Sequence, residues 1–187
     1  MTMIEKIDNY FENAVKIFKL KKYNDKRGFF SETYNTKYLS EIGITDIFVQ
    51  DNESFSKNKG VLRGLHLQEN PFSQAKIIRV LSGKIQDVVV DLRVKSKTYG
   101  RYKSFIIDSV NNLQLYVPVG FAHGFLVLEK NTHVVYKVSN YYNPSFEKTI
   151  IFNDYDINVD WLINDKKIIL SDKDSNGIQL NNYKSTF

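Results

Sequence analysis

The sequence predicts an all-β fold, a sandwich or barrel of two sheets with short helical pieces at its periphery. The composition suits half-buried strands: 12 Tyr, 13 Phe, many Val and Ile, and only 3 Pro in 187 residues. Short apolar runs recur with turn residues between them, and no long helical pattern separates them as a βαβ fold would require. Neither a linker, a low-complexity stretch nor an internal repeat interrupts the chain, so one domain is expected over residues 1–187.

In order, residues 14–20 alternate Val15 and Ile17 with Lys16 and Lys19 and predict an early strand. Phe29 and Phe30 begin another, and Ile47, Phe48 and Val49 a third. Between them, residues 35–42 predict a short helix that Asn35 caps and Gly43 ends, with Tyr38, Leu39 and Ile42 on one face. Residues 76–81 and 84–92 flank Ser82-Gly83, which reads as a hairpin turn. Further strands are expected at 105–107, 113–117, 124–128 and 133–138. Past Trp161 the pattern turns polar, and residues 171–174 predict a small capped helix.

Composition excludes several classes. The chain has no cysteine, so disulfides, thiolate metal sites and cysteine nucleophiles are ruled out. No apolar run approaches the ~20 residues that span a bilayer, and the first residues mix charges of both signs, so a cytoplasmic protein without membrane contact is expected. The net charge of +5 could steer an anionic ligand, but the basic residues are scattered and form no nucleic-acid-binding pattern.

Polar groups inside apolar strands carry the functional signal. Strict alternation puts Gly64, His66 and Gln68 on one face and Arg63, Leu65 and Leu67 on the other. It also groups Lys76 with Ile78 and Val80, Asp87 and Asp91 with Ile85 and Val89, and Tyr136 with Val134 and Val138. Taken singly, each is a satisfied structural hydrogen bond. Together, in a closed double sheet, they point to a shared cavity.

Two segments sharpen that reading. Residues 60–68 place His66 six positions after Gly60, and residues 118–123 read P-x-G-x-x-H, ending at His123. These resemble the two half-motifs of the cupin superfamily, which implies a jelly-roll barrel with its site inside. The usual second histidine is replaced by Gln68, and His133 has no carboxylate partner in view. The ligand set is short of the three a metal requires, so no metal is expected.

The ordered set is more specific. It runs Arg63-Gly64-Leu65-His66-x-Gln68, Gln74-Ala75-Lys76, Gly83 with Asp87 to Arg93, Tyr116-Val117-Pro118 and Gly120 to Phe125. Tyr136-Lys137, Tyr141-Tyr142, Asn153-Asp154, Asp160-Trp161 and Ser171-Asp172-Lys173-Asp174 follow. Order and spacing from about Arg27 to Asp174 resemble the dTDP-4-dehydrorhamnose 3,5-epimerase family. The resemblance implies proton exchange at the two carbons beside the ketone of a nucleotide-linked 4-keto-6-deoxyhexose, with no cofactor.

By the same resemblance, His66 is the base, Asp174 orients its ring, Tyr136 is the acid on the far face of the sugar, and Lys76 stabilises the enolate. His123 also contacts the carbonyl region, and Asp87 orients Lys76 or His66. Arg63 engages the diphosphate. Arg27, Glu32, Gln50 and Asn52 match the family's diphosphate, nucleoside and sugar contacts, Lys173 adds charge at the phosphates, and Tyr142 stacks near the base. A homodimer whose N-terminal strands complete the neighbouring site is implied. Ala75, Tyr116 and Tyr102 depart from the family's usual glycine and tryptophans, which leaves cavity size and nucleotide packing open. The rival readings are an enzyme of the same fold that inverts one carbon or takes a GDP- or CDP-linked sugar, heptoses included, and a non-catalytic carbohydrate- or nucleotide-binding cupin.

Overall fold

The computed structural model describes residues 4–187, and its architecture is the predicted all-β double sheet. One sheet has six strands in the order β1 (Ile4–Tyr10), β2 (Val15–Leu20), β10 (Leu113–Val117), β7 (Lys76–Ser82), β12 (Thr132–Val138) and β5 (Gln50–Ser56). The other has five, in the order β13 (Glu147–Thr149), β6 (Leu62–Gln68), β11 (Phe121–Val127), β8 (Lys84–Asp91) and β9 (Tyr102–Asp108). A separate hairpin joins β3 (Tyr23–Asp25) to β4 (Gly28–Phe30). All pairings between these strands are antiparallel.

Three apolar layers hold the sheets. Between them lie Ile78, Leu115 and Val134 from one side and Ile85, Val89 and Phe125 from the other. Leu62, Leu65, Val88 and Leu126 turn outward from the five-stranded sheet and are covered by Ile150, Phe152, Ile157 and Trp161 of the C-terminal segment. Phe18, Leu20, Ile77 and Tyr116 on the outer face of the larger sheet meet Leu39 and Ile44. Since both faces of β8 are covered, residues 85–91 are all buried, and Gln86, Asp87 and Asp91 are buried along with the apolar side chains. Full burial of each large aliphatic side chain contributes about 1.5–3 kcal/mol.

Local signals placed the helices. Asn35 accepts from the Lys37 N–H at the start of α1 (Thr36–Glu41), and Ser171 accepts from the Asp174 N–H at the start of α2 (Asp172–Ser175). Two strand expectations are corrected. Residues 47–49 are irregular and the strand begins at Gln50, with Ile47 left exposed. Ser82-Gly83 is not a hairpin turn: β7 and β8 lie in opposite sheets, Ser82 pairing with His133 and Lys84 with Asp108. Gly83 has a φ of +79°, and a Cβ there would lie 2.2 Å from Thr132 Oγ1. A tight turn specifies that the chain reverses, whereas the strand it pairs with afterwards is settled by which faces can be buried.

Candidate active site

A cavity of about 450 Å³ opens between the two sheets, within the range of small-ligand sites. The smaller sheet contributes Arg63, His66 and Gln68 from β6 and His123 and Phe125 from β11. The larger sheet contributes Lys76 of β7, Tyr136 of β12, and Gln50 and Asn52 of β5. Tyr142, Glu147, Ser171, Lys173 and Asp174 complete the lining.

Strict alternation would turn Arg63 away from His66, yet both line the cavity. The reason is a bulge. His66 sits opposite His123 and Arg63 opposite Phe125, so three steps on β6 match two on β11. Gly64 and Gly124 permit it: a Cβ on Gly64 would come within 2.5 Å of the Gly124 Cα, and one on Gly124 within 2.7 Å of the Arg63 carbonyl. The bulge puts a base and a guanidinium into one cavity from a single strand.

His66 Nε2 lies 2.5 Å from Asp174 Oδ1, with the carboxylate only 3% exposed. The neutral ring therefore carries its proton on Nε2 and leaves the Nδ1 lone pair free. Burial depresses the His66 pKa below its ordinary 6.5; the hydrogen bond and charge of Asp174 oppose this, and the charges of Lys173 and Lys76 add to it. Burial pushes the Asp174 carboxyl upward, but the hydrogen bonds and charges of His66, Ser171 and Lys173 outweigh it and hold the group below 3.8. Asp174→Asn is thus expected to lower the His66 pKa further, read by NMR titration of the imidazole. An upward shift would contradict the pairing.

A second pair stands on the next strand. His123 Nε2 is 2.9 Å from both oxygens of Asp87, which is wholly buried. Asp87 therefore bonds neither Lys76 nor His66 and does not line the cavity; it braces His123 from behind. Asp91, expected on the same face, lies away from the cavity and is held by Arg93, Ser96 and Thr98. His133 has a carboxylate partner after all, Glu53 at 3.1 Å.

Burial lowers the Lys76 pKa from 10.5 to about 8, and its Nζ reaches the His66 carbonyl only at 3.5 Å. Burial also raises the Tyr136 pKa, keeping its phenol protonated at neutral pH, and that hydroxyl makes no hydrogen bond within the described residues. Arg63 donates to the Phe55 carbonyl at 3.3 Å and leaves a buried Nε unpartnered. At the mouth, Glu147 accepts from Lys173 at 2.9 Å and from Tyr142 at 3.0 Å.

Arg27 and Glu32 lie outside this cavity: Arg27 is exposed on the β3–β4 hairpin and paired with Asp25 at 2.6 Å, and Glu32 accepts from Asn35. Ala75, Tyr116 and Tyr102 do not line it either; Tyr116 donates to Asp46 at 2.6 Å and Tyr102 accepts from the Asp160 N–H. Glu147 escaped sequence reasoning, because a three-residue strand between polar turns carries no periodic signal, and Gln74 entered only as part of the Gln74-Ala75-Lys76 motif, with no role of its own. Ser171 was legible only as a helix cap. No group of three or more histidine or acidic side chains among the described residues could hold a metal. No helix among them is long and apolar enough to cross a membrane.

Residues 12–182 match the family model described as dTDP-4-dehydrorhamnose 3,5-epimerase. The chain belongs to that family. This epimerase is 44% identical over 164 residues to the Shigella flexneri dTDP-4-dehydrorhamnose 3,5-epimerase, covering 87% of this chain and 89% of that one. A solved Bacillus anthracis enzyme of the same name, with TDP and PPi bound, superposes with a TM-score of 0.90 at 42% identity, covering 94% of this chain and 99% of that one. A Legionella pneumophila dTDP-6-deoxy-D-glucose-3,5-epimerase, in complex with dTDP-4-keto-L-rhamnose, gives 0.90 at 42% identity, covering 96% and 94%.

Proposed function

We propose that this epimerase converts dTDP-4-dehydro-6-deoxy-D-glucose to dTDP-4-dehydro-L-rhamnose, with His66 and Tyr136 working from opposite faces of the sugar ring. One observation carries the reading: the two groups stand on opposing sheets and line one cavity. His66 Nδ1 takes the proton from carbon 5 or carbon 3, and the C–H electron pair moves onto the carbonyl oxygen as an enolate. The Lys76 ammonium donates to that oxygen. Tyr136 gives its hydroxyl proton to the carbon from the other face, inverting it, and the charged pair resets by proton exchange with solvent. A second round inverts the second carbon. No cofactor enters this scheme, since the ketone itself accepts the electrons.

Arg63 and Lys173 suit the diphosphate and Tyr142 the base, with Gln50 and Asn52 on the nucleoside side and His123, braced by Asp87, near the carbonyl. The whole chain acts as one domain in this reading, a cytoplasmic enzyme whose C-terminal segment supplies Asp174 to a strand of the sheet. Incubation with the dTDP-4-keto sugar in deuterated water tests it: label must enter at carbons 3 and 5 of an L-configured product. Label at a single carbon would favour a monoepimerase instead.

The pH profile follows from the same groups. Turnover at low substrate needs neutral His66 and charged Lys76, so kcat/KM is expected to rise with pH through a value below 6.5 and to fall again near pH 8. A flat profile between pH 5 and 9 would remove both assignments.

A homodimer belongs to the same proposal. Arg27 and Glu32 sit outside the cavity of their own chain, while the hairpin that carries Arg27 exposes Phe29 at 61% and Phe30 at 66%. Such rings on a free hairpin fit a neighbouring copy, which would bring both polar groups to its site. Phe29→Asp with Phe30→Asp is expected to yield a monomer by light scattering and to lose most activity. A fully active monomer would refute the shared site.

A further inference from the structure

Residues 139–146 connect β12 to β13 and carry Tyr142 over the cavity, yet they have no regular structure before the 3₁₀ turn Pro144–Phe146. Such a loop keeps one shape only if other groups satisfy its backbone. Here side-chain amides do so. Gln68 Nε2 donates to the carbonyls of Tyr141 at 3.4 Å and Phe72 at 3.2 Å, and its Oε1 accepts from the Asn143 N–H at 2.8 Å. Gln74 donates to the Asn140 carbonyl at 2.8 Å, Gln50 accepts from the Tyr142 N–H at 3.3 Å, and Asn140 donates to the Pro71 carbonyl at 3.0 Å.

Gln68 stands out because it grips the loop on both sides of Tyr142 from the strand that bears His66. It is 5% exposed, and both its amide protons are engaged, so it has none to offer a sugar. None of the side chains of His66, Lys76 and Tyr136 bonds the Gln68 side chain: His66 bonds Asp174, and Lys76 reaches the His66 carbonyl.

We propose that Gln68 is a positioning residue that fixes Tyr142 against the nucleotide, and so sets substrate affinity while leaving proton transfer untouched. This rests on the reading of Tyr142 as a nucleotide contact. Gln68→Met keeps the volume but frees two carbonyls and one N–H of the loops, loosening the perch under Tyr142.

The test measures dTDP binding by calorimetry and steady-state kinetics for wild type, Gln68→Met, Tyr142→Ala and the double variant. Gln68→Met is expected to weaken dTDP and raise KM by roughly 10-fold, with kcat within about 2-fold and the acid limb of the pH profile unmoved. The double variant should bind dTDP no more weakly than Tyr142→Ala, since one change acts through the other. Additive losses, or a fall in kcat at constant KM, overturn the inference, as does unchanged affinity in Gln68→Met. If Tyr142→Ala itself binds dTDP normally, the nucleotide contact fails and the inference with it. Should Gln68→Met not fold, Asn140→Ala decides: roughly 3-fold weaker dTDP at unchanged kcat supports the tethered loop, and wild-type affinity overturns it.

Discussion

His66→Asn is expected to lower kcat by about 10²–10⁴-fold while the protein stays folded. The size follows from the role: the depressed pKa leaves the ring neutral at pH 7, and the bond from Nε2 to Asp174 leaves Nδ1 as the free lone pair. Asparagine is shorter and offers no basic nitrogen. The fold should survive because the loss is confined to one hydrogen bond of a partly exposed side chain, about 1–3 kcal/mol against a total of roughly 5–15. Circular dichroism and thermal melting check the fold, and deuterium uptake at carbons 3 and 5 checks the chemistry. Tyr136→Phe is the companion, removing the phenolic proton on the opposing sheet. A non-catalytic binding module predicts that neither change matters, so wild-type turnover in His66→Asn would decide for it.

Lys76→Met is expected to make the protein more stable and nearly inactive. A pKa lowered from 10.5 to about 8 means that burial of the charged ammonium costs stability. A tenfold change in a protonation equilibrium is worth about 1.4 kcal/mol, so removing the charge should gain up to about 3 kcal/mol at neutral pH. The sign with pH is definite. Between about 8 and 10.5 the unfolded chain holds this proton more tightly than the folded one, so wild-type stability from this group rises across that window. The advantage of methionine is therefore full below pH 8 and gone above 10.5. Urea unfolding at pH 7 and at pH 10.5 measures it. The same change removes a donor to the enolate oxygen, worth about 2.7–4 kcal/mol of transition-state stabilisation. A destabilised Lys76→Met protein at pH 7 would mean that the ammonium is better solvated than its burial implies.

The gain and the loss have one origin. An ammonium held in a poorly solvated cavity is strained before substrate arrives, and a developing oxyanion is the partner that relieves it. The two histidine–carboxylate pairs on adjacent strands differ in this respect. His123 rests on a wholly buried Asp87 and its side chain is 7% exposed, whereas His66 rests on Asp174 within a four-residue helix and its side chain is 23% exposed. The ring that must exchange protons is the one closer to solvent.

Much of the fold was legible because strand and cap signals are local. The apolar runs at 76–81, 113–117 and 133–138 became strands, and Asn35 and Ser171 cap their helices through their own side chains. Residues 47–49 failed because three apolar side chains in a row look the same whether they pair or stand exposed. The four polar stripes indicated a cavity, but they counted Asp91 inside it and Arg63 out of it. Glu147 gave no signal at all, since its importance lies in being within reach of Lys173 and Tyr142.

By itself, the order of residues determined the all-β class, the capped helices and the set of acid–base side chains available for chemistry. Only the tertiary structure decided that β7 and β8 part into different sheets, that a glycine bulge swings Arg63 and His66 to the same side, and that Asp87 serves His123. The physical reason is range. Propensity, capping and alternation act over a few residues, whereas strand pairing, register and the partner of a buried carboxylate depend on segments tens of positions apart competing to bury surface and satisfy hydrogen bonds together.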